Sequence, residues 1–382
     1  RTLEQRKRLK EQKKAQAAER KRQHAAAVAH RRATDIHFLG RGVSAGLADR
    51  LANVEKLQSL KLPLLASPAD LAAALQIPIP RLRWLAFHAD AATVTHYVRI
   101  SVPKKSGGLR QLCAPHTDLA AAQNWILRNI LDKLPTHDAA HGFVRRRNTL
   151  SNATPHVGRR LVVNADLKDF FPTISFRRVR GAFRELGYSP AVATLLALLC
   201  TEAPRRTVEY AGRTFHVATG PRALPQGACT SPALSNLVAR RLDSRLTGIA
   251  RKLGWTYTRY ADDITLSCDA QDDAKVGYLL ARMQHIAKDE GFAVNEAKTR
   301  VQRPASRQSV TGIVVNQRPG VPRKLVRQIR AILHRARLEG LAAQNRGRRP
   351  HFEGWLRGMI SYICMVNPTQ GQPLREALEA LA

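Results

Sequence analysis

Between Thr256 and Ser267 the chain alternates β-branched and aromatic residues with a period near two, and it breaks that pattern once, at Tyr260-Ala261-Asp262-Asp263. The pattern predicts two short strands joined by a turn that carries adjacent carboxylates. Like charges held side by side repel unless a cation lies between them. A fold built on this segment must present the turn either to water or to a metal ion, and the four residues alone leave both open. The metal reading needs a third carboxylate and an anionic substrate from elsewhere in the chain.

Charge points to the substrate. The chain carries 63 Lys and Arg against 29 Asp and Glu over 382 residues, a net charge of +34. This excess exceeds what solubility needs and opposes compaction unless a polyanion is bound. Nucleic acid is the leading partner and an anionic membrane surface the second. No apolar run reaches the roughly 18 residues of a bilayer span; the longest, Ala191 to Cys200, reads as a buried helix. There is no secretory leader pattern. The five cysteines (113, 200, 229, 268 and 364) are widely spaced without a C-x-x-C. That spacing predicts a reducing, cytoplasmic setting rather than a disulfide framework or zinc site.

The third carboxylate is Asp166. Leu161-Val162-Val163-Asn164-Ala165-Asp166 is an apolar run ending in an acid, followed by Asp169-Phe170-Phe171-Pro172. It reads as a buried strand delivering Asp166 at its C-terminal end, where sheet-borne sites are built. Asp169 fits a rival ligand or a helix-capping residue, and the structural role fits better.

Other elements follow in order. Residues 1 to about 36 hold twelve Lys or Arg against four Asp or Glu with almost no apolar stripe, which predicts a solvated helix or a disordered basic arm. The globular part is expected to begin near Leu62, with a helix starting at Ser67-Pro68-Ala69-Asp70. Tyr97–Val102 and Leu109–Cys113 read as a hairpin around Lys104-Lys105-Ser106-Gly107-Gly108. Lys104, Lys105 and Arg110 on it suit a phosphate clamp, but an exposed basic hairpin is the more common explanation of such residues. Helices are expected over 120–134, 176–186, 190–201, 233–246, 273–288, 323–338 and 352–366, a basic hairpin over 205–217, and a strand-turn unit over 291–299. The 323–338 helix sets Leu325, Ile329, Ile332 and Leu333 against Lys324, Arg327, Arg330, Arg335 and Arg337, a cationic face for a nucleic-acid backbone. Three carboxylates, an aromatic pair and a cationic surface fit two-metal phosphoryl transfer.

Asp166-x-x-x-Phe170-Phe171, Leu224-Pro225-Gln226-Gly227 with Ser231-Pro232, Tyr260-Ala261-Asp262-Asp263, and Lys298 resemble, in order and spacing, the motifs of reverse transcriptases. Asn152-Ala153-Thr154-Pro155-His156 and Val310-Thr311-Gly312 resemble the two signatures of the retron, msDNA-synthesising branch. The resemblance covers roughly residues 62–382. Cys229 stands where relatives often have Pro, and the basic arm lies outside the common core.

The resemblance implies an α+β right-hand polymerase fold. Its expected parts are a basic N-terminal extension (1–61), fingers with an RNA-contacting loop (62–160), a palm with an antiparallel sheet and inserted finger elements (161–318), and a helical thumb (319–382). The implied activity is RNA-directed DNA synthesis from dNTPs with two Mg²⁺ ions, Mn²⁺ being the alternative. The template would be the cognate non-coding RNA (msr-msd) and the product msDNA, primed from a guanosine 2′-hydroxyl. A separate effector protein, a role in defence against phage and a cytoplasmic location are implied as well.

By the same resemblance Asp166, Asp262 and Asp263 hold the metals, with the Leu167 backbone assisting. Phe171 is a steric gate against the ribose 2′-hydroxyl, and Gln226 contacts the incoming nucleotide. Lys104 or Lys105, with Arg110, clamps the triphosphate. Lys298 is either a general acid toward pyrophosphate or a counter-charge. Asn152, His156, Val310, Thr311 and Gly312 contact the RNA, loop packing being the alternative for each. Two other readings stand beside this one. The first is another bacterial reverse transcriptase, of group II intron or diversity-generating type, which the two signatures disfavour. The second is a non-catalytic RNA-binding scaffold, which the intact acidic triad disfavours.

Overall fold

The computed structural model describes residues 3–103, 107–269 and 274–381. The chain divides into two compact units, residues 1–135 with 171–238, and residues 136–170 with 239–382. Each unit is discontinuous in sequence, and the expected palm segment contributes to both.

In the first unit, Leu3–Thr34 forms one helix. It is rich in strong helix formers, Ala, Lys, Arg and Gln, and its described side chains are almost all exposed. Packing begins at Ile36, Leu39, Leu47 and Leu57, all buried. That is earlier than Leu62, because these apolar residues are too sparse to show a period. The helix Pro68–Ala74 carries the expected capping box between Ser67 and Asp70. The helix Pro190–Cys200 is buried at every position from Ala191 onward. Tyr97–Pro103 pairs with Leu109–Pro115 in register Val102↔Arg110; Lys104 and Lys105 lie outside the described residues. Arg205–Tyr210 and Arg213–Ala218 form the expected basic hairpin, which Ala91–Ala92 extends to a three-stranded sheet.

The second unit is built on a four-stranded antiparallel sheet, in the order Thr256–Tyr260, Asp263–Cys268, Leu161–Asp166, Arg300–Gln302. The edge strand lies later in the chain than the expected unit at 291–299. Residues 293–295 bond to the backbone of Asp166 and Lys168, at and just past the end of the Leu161–Asp166 strand, and Glu296–Lys298 is a 3₁₀ turn. A second apolar cluster joins Val310 and Ile313 to three helices: Arg323–Glu339 through Ile329 and Leu333, Phe352–Val366 through Leu356 and Ile360, and Pro368–Glu379 through Leu374 and Leu378. The last helix went unread in the sequence because Gly371 and Pro373 mimic a loop. Gly371 is required there, since a Cβ would lie 2.5 Å from the Cys364 Cα. Among the described residues no helix is long and apolar enough to cross a membrane, and the five cysteines are unpaired.

Candidate active site

The register of the central strands brings the acids together. Asp166, the last residue of its strand, pairs directly with Asp263, the first residue of its own. Such cross-strand partners hold their Cβ atoms about 4.5–5.5 Å apart. Asp262 lies in the two-residue turn closed by the Tyr260↔Asp263 pair, and Ala261 adopts φ +57. Leu167 N donates to the Asp262 carbonyl at 2.9 Å, tying the turn to the residue after Asp166. On the other side Asn295 N donates to the Asp166 carbonyl at 2.7 Å and Lys168 N to Ala293 O at 2.8 Å. Leu167 itself is buried. Asp169 is exposed at φ +47, in the turn before the short helix Phe170–Thr173.

The electrostatics are those of an acidic cluster short of positive charge. Desolvation first, then the like charges of Asp262 and Asp166, push the Asp263 carboxyl up to about 6, against the pull of Lys298. Lys298 Nζ lies 3.0 Å from Asp166 Oδ1. That hydrogen bond is the main cause of a raised Lys298 pKa, so the ammonium sits as a counter-charge. Carboxylate oxygens are the donors that hard divalent cations take, and a cation would relieve this repulsion, so the residues fit one. Among the described residues no group of three acidic, His or Cys side chains that could hold an ion is already assembled.

Two supports of the turn were not visible in the sequence. Arg259, in the strand just before the turn, is completely buried and pairs bidentately with buried Asp243, Nε to Oδ1 and Nη2 to Oδ2, both at 2.7 Å. Tyr257 Oη also donates to Asp243 at 2.7 Å. The remaining guanidinium nitrogen, Nη1, donates to the Ala261 carbonyl at 2.9 Å. The only sequence signal is a lone cation inside an otherwise apolar-aromatic strand. The second support is Gly142, whose Cβ, if present, would lie 2.4 Å from Ala261 N. Residues 139–141 run beside Arg259, with Arg259 N donating to Ala139 O and His141 N to Arg259 O, each at 2.7 Å.

The nucleotide candidates that are described, Phe171, Gln226 and Arg110, belong to the first unit. There the Gln226 carbonyl accepts from Cys113 N at 2.6 Å, on the strand that carries exposed Arg110. Gly227, at φ +111, packs so closely that a Cβ would lie 3.1 Å from Cys113 O. The loop and the hairpin strand therefore form one piece. Phe171 is half-buried.

The RNA candidates separate into two groups. His156 is fully buried, with Nδ1 2.6 Å from Ser267 Oγ and Nε2 2.8 Å from Thr258 Oγ1. Burial first, then the charges of His141 and Arg159, lower its pKa to about 3. A neutral ring clasped by hydroxyls on two adjacent strands presents neither nitrogen to RNA in this conformation, as the packing alternative expects. Asn152 is likewise buried, as is Val310 in the helical cluster. Thr311 (φ +45) and Gly312 (φ +87) form the tip of the Ser309–Val314 hairpin, a two-residue turn of the type that needs positive φ at both positions. Gly312, Lys324, Arg327 and Arg330 are exposed. The three cations lie outside the buried face of their helix, which is formed by Val326, Ile329, Leu333 and Ala336.

The family model for "Reverse transcriptase (RNA-dependent DNA polymerase)" matches residues 102–318. The chain is 44% identical to the retron Mx162 reverse transcriptase of Myxococcus xanthus, over 97% of this chain and 80% of that protein. It is 45% identical to the retron Mx65 reverse transcriptase of the same organism, covering 86% and 75%. With the retron Ec86 reverse transcriptase of Escherichia coli it shares 34% identity, covering 85% and 97%.

Proposed function

Given that this chain belongs to the retron family of reverse transcriptases and is an RNA-directed DNA polymerase with the right-hand fold, we propose that it copies a cognate structured RNA into msDNA at the Asp166, Asp262 and Asp263 cluster. The observation that carries the assignment is the Asp166↔Asp263 pairing next to the Asp262 turn. Two Mg²⁺ ions, or Mn²⁺ in their place, would supply the charge that lowers the pKa of an attacking hydroxyl and neutralises the leaving pyrophosphate. Asp166, Asp262 and Asp263 would hold them, with the Leu167 carbonyl assisting.

The chain's own residues do the positioning. Arg259 and Gly142 hold the turn, so the carboxylates approach from fixed backbone. Lys298 keeps a positive charge on Asp166 before substrate arrives, and its raised pKa favours the counter-charge role over the general acid. Gln226 and Arg110, held on one piece of the first unit, would receive the incoming dNTP, and Phe171 would close against its sugar. Positioning and charge neutralisation carry most of such phosphoryl transfers. We assign the four-stranded sheet to the palm and the helical cluster after residue 319 to the thumb, whose exposed Lys324, Arg327 and Arg330 would follow the nucleic-acid backbone, with Thr311 and Gly312 touching the RNA. Priming from a guanosine 2′-hydroxyl, a separate effector and a role in phage defence belong to the same reading.

Primer extension with Mg²⁺ and dNTPs, comparing wild type with Asp262→Asn/Asp263→Asn, tests the centre, and equal DNA yield would sink it. Sequencing the co-purifying nucleic acid tests the retron product. A branched RNA–DNA is expected, whereas linear cDNA alone would count against it.

A further inference from the structure

In the first unit a cavity of about 810 Å³ opens between the helix Ile79–Ala86 and residues 89–96. None of the roles above uses it. Its size is that of a small-ligand site, and two features give it chemistry.

One wall is aromatic. Trp84 and Phe87 line the cavity and are 40% and 39% exposed. Trp84, on the helix, and Phe87, just past its end and edge-on to Phe38 at 6.3 Å, both leave ring surface open. The Trp84 ring is fixed by groups beside it. The Arg81 guanidinium lies 4.0 Å from its centroid and bonds in turn to Asp118, and His96 meets it edge-on at 4.3 Å. A ring held this way loses little freedom when another ring stacks on it.

The floor holds charge of both signs. Glu202 lines the cavity, nearly buried, and three guanidinium groups converge on its carboxylate: Arg205 at 2.7 Å, Arg99 at 3.5 Å and Arg222 at 3.6 Å. Of the three, only Arg205 also lines the cavity, Arg222 being buried on the Leu198 and Thr201 carbonyls, so the lining cations are Arg83 and Arg205 beside one carboxylate. Arg99 Nε is buried with no hydrogen-bond partner among the described residues. Burial first, then the Arg222 charge, holds neighbouring His88 below its ordinary pKa. Exposed Arg83 adds a solvent-facing cation at the rim.

An aromatic wall beside surplus guanidinium charge matches a nucleotide, whose base is flat and whose phosphate is anionic. We propose that this cavity binds one nucleotide of a single-stranded nucleic acid, its base stacked on Trp84 and Phe87 and its phosphate drawn to Arg83 and Arg205. The long N-terminal helix supports a strand over an isolated nucleotide. Its residues Ala25, Val28, Ala29 and Ala33 border, with Pro80, an adjoining pocket, and Pro80 also lines the cavity. From that seat the helix carries exposed Arg8, Lys10, Lys13, Lys14, Arg20 and Lys21, a row of charges for neighbouring phosphates. An apolar peptide would fill the aromatic wall but leave exposed Arg83 unanswered. The proposal rests on the polymerase reading only for the presence of a strand to bind.

The test uses the full chain freed of co-purified nucleic acid, a labelled poly(U) oligonucleotide and fluorescence anisotropy over a range of salt. Trp84→Ala should weaken binding about 5- to 150-fold, the range for loss of one stacked base, and Trp84→Phe should restore most of it. Arg83→Ala should weaken binding and reduce the salt slope by about one phosphate contact. A 5-iodouracil oligonucleotide should crosslink to the peptide carrying Trp84. Unchanged affinity in Trp84→Ala and Arg83→Ala overturns the proposal, as does crosslinking confined to other peptides. Loss of binding to free UMP alone, with oligonucleotide affinity intact, overturns the strand. Extension of a short pre-annealed template–primer, measured on the same proteins, separates the two readings. Inactive wild type refutes the polymerase centre, while the oligonucleotide affinities still decide this site.

Discussion

Arg259 Nη1 donates to the carbonyl oxygen of Ala261 at 2.9 Å, from a guanidinium wholly buried on Asp243. The acidic turn is thus anchored through its own backbone to an ion pair that contributes no ligand. Removing one partner of such a pair strands a charge in the interior, at a cost of about 3–5 kcal/mol. Arg259→Met should therefore destabilise the fold by that order, and adding Asp243→Asn should recover much of the loss while still accepting from Tyr257. Single-nucleotide incorporation should not recover, because the Ala261 carbonyl still lacks its donor. Denaturant midpoints and pre-steady-state rates on both variants check this. Parallel recovery of stability and rate would reduce Arg259 to a packing residue.

Gly142 supports the same turn by having no side chain. A Cβ there would meet Ala261 N at 2.4 Å and Tyr260 C at 3.0 Å, both backbone atoms that cannot swing aside. Gly142→Ala should displace the turn and lower the polymerisation rate by at least about tenfold, the cost of misplacing reacting groups by a fraction of an ångström. Gly248→Ala is the matched control. It lies within the Ser231–Lys252 helix with nothing within 4 Å of its Cβ, and should stabilise the protein by about 0.5–1 kcal/mol without changing the rate. Equal rates in wild type and Gly142→Ala would show that the turn tolerates the shift.

How much of this the sequence disclosed depends on range. The acidic hairpin, the capping box at Ser67 and the helix Phe352–Val366 are local patterns, and each stands where its pattern placed it. Asp243 and Gly142 act on the turn across gaps of many residues, and a lone Asp in a helix or Gly in a loop carries no sign of its distant partner. His156 shows the opposite failure. Its motif marks it out, but whether it faces RNA or the interior depends on hydroxyls contributed by Thr258 and Ser267.

The burial of His156 makes the fold sensitive to acid. Its folded pKa of about 3 lies below the ordinary 6.5, so on acidification the unfolded chain takes up this proton first. The stability from the neutral ring is complete above about pH 6.5 and is lost progressively as pH falls toward 3. His156→Gln keeps polar atoms without that titration. The stability gap between wild type and His156→Gln, from urea midpoints at about pH 7.5, 6 and 4.5, should shrink as pH falls. His141 titrates in both proteins and cancels. A gap independent of pH would mean that the ring is not held neutral.

Adjacent aromatics divide two tasks at Phe170 and Phe171. Phe170 is buried, stacked on Phe292 with ring centroids 5.5 Å apart, and Arg259 lies 5.7 Å from its centroid. Phe171 is only half-buried, which leaves ring surface for a substrate. Phe170→Ala should cost about 3–5 kcal/mol of stability and leave the choice between dNTP and rNTP unchanged in the folded fraction. Phe171→Ala should cost less stability and relax that choice by about 10- to 200-fold, the range for losing one steric contact with a small group. The ratio of kcat/KM for dGTP and GTP, measured on both variants beside their melting curves, checks the division. Unchanged discrimination in Phe171→Ala would refute the gate, and relaxed discrimination in Phe170→Ala would move it one residue back, onto a ring that the fold has already enclosed.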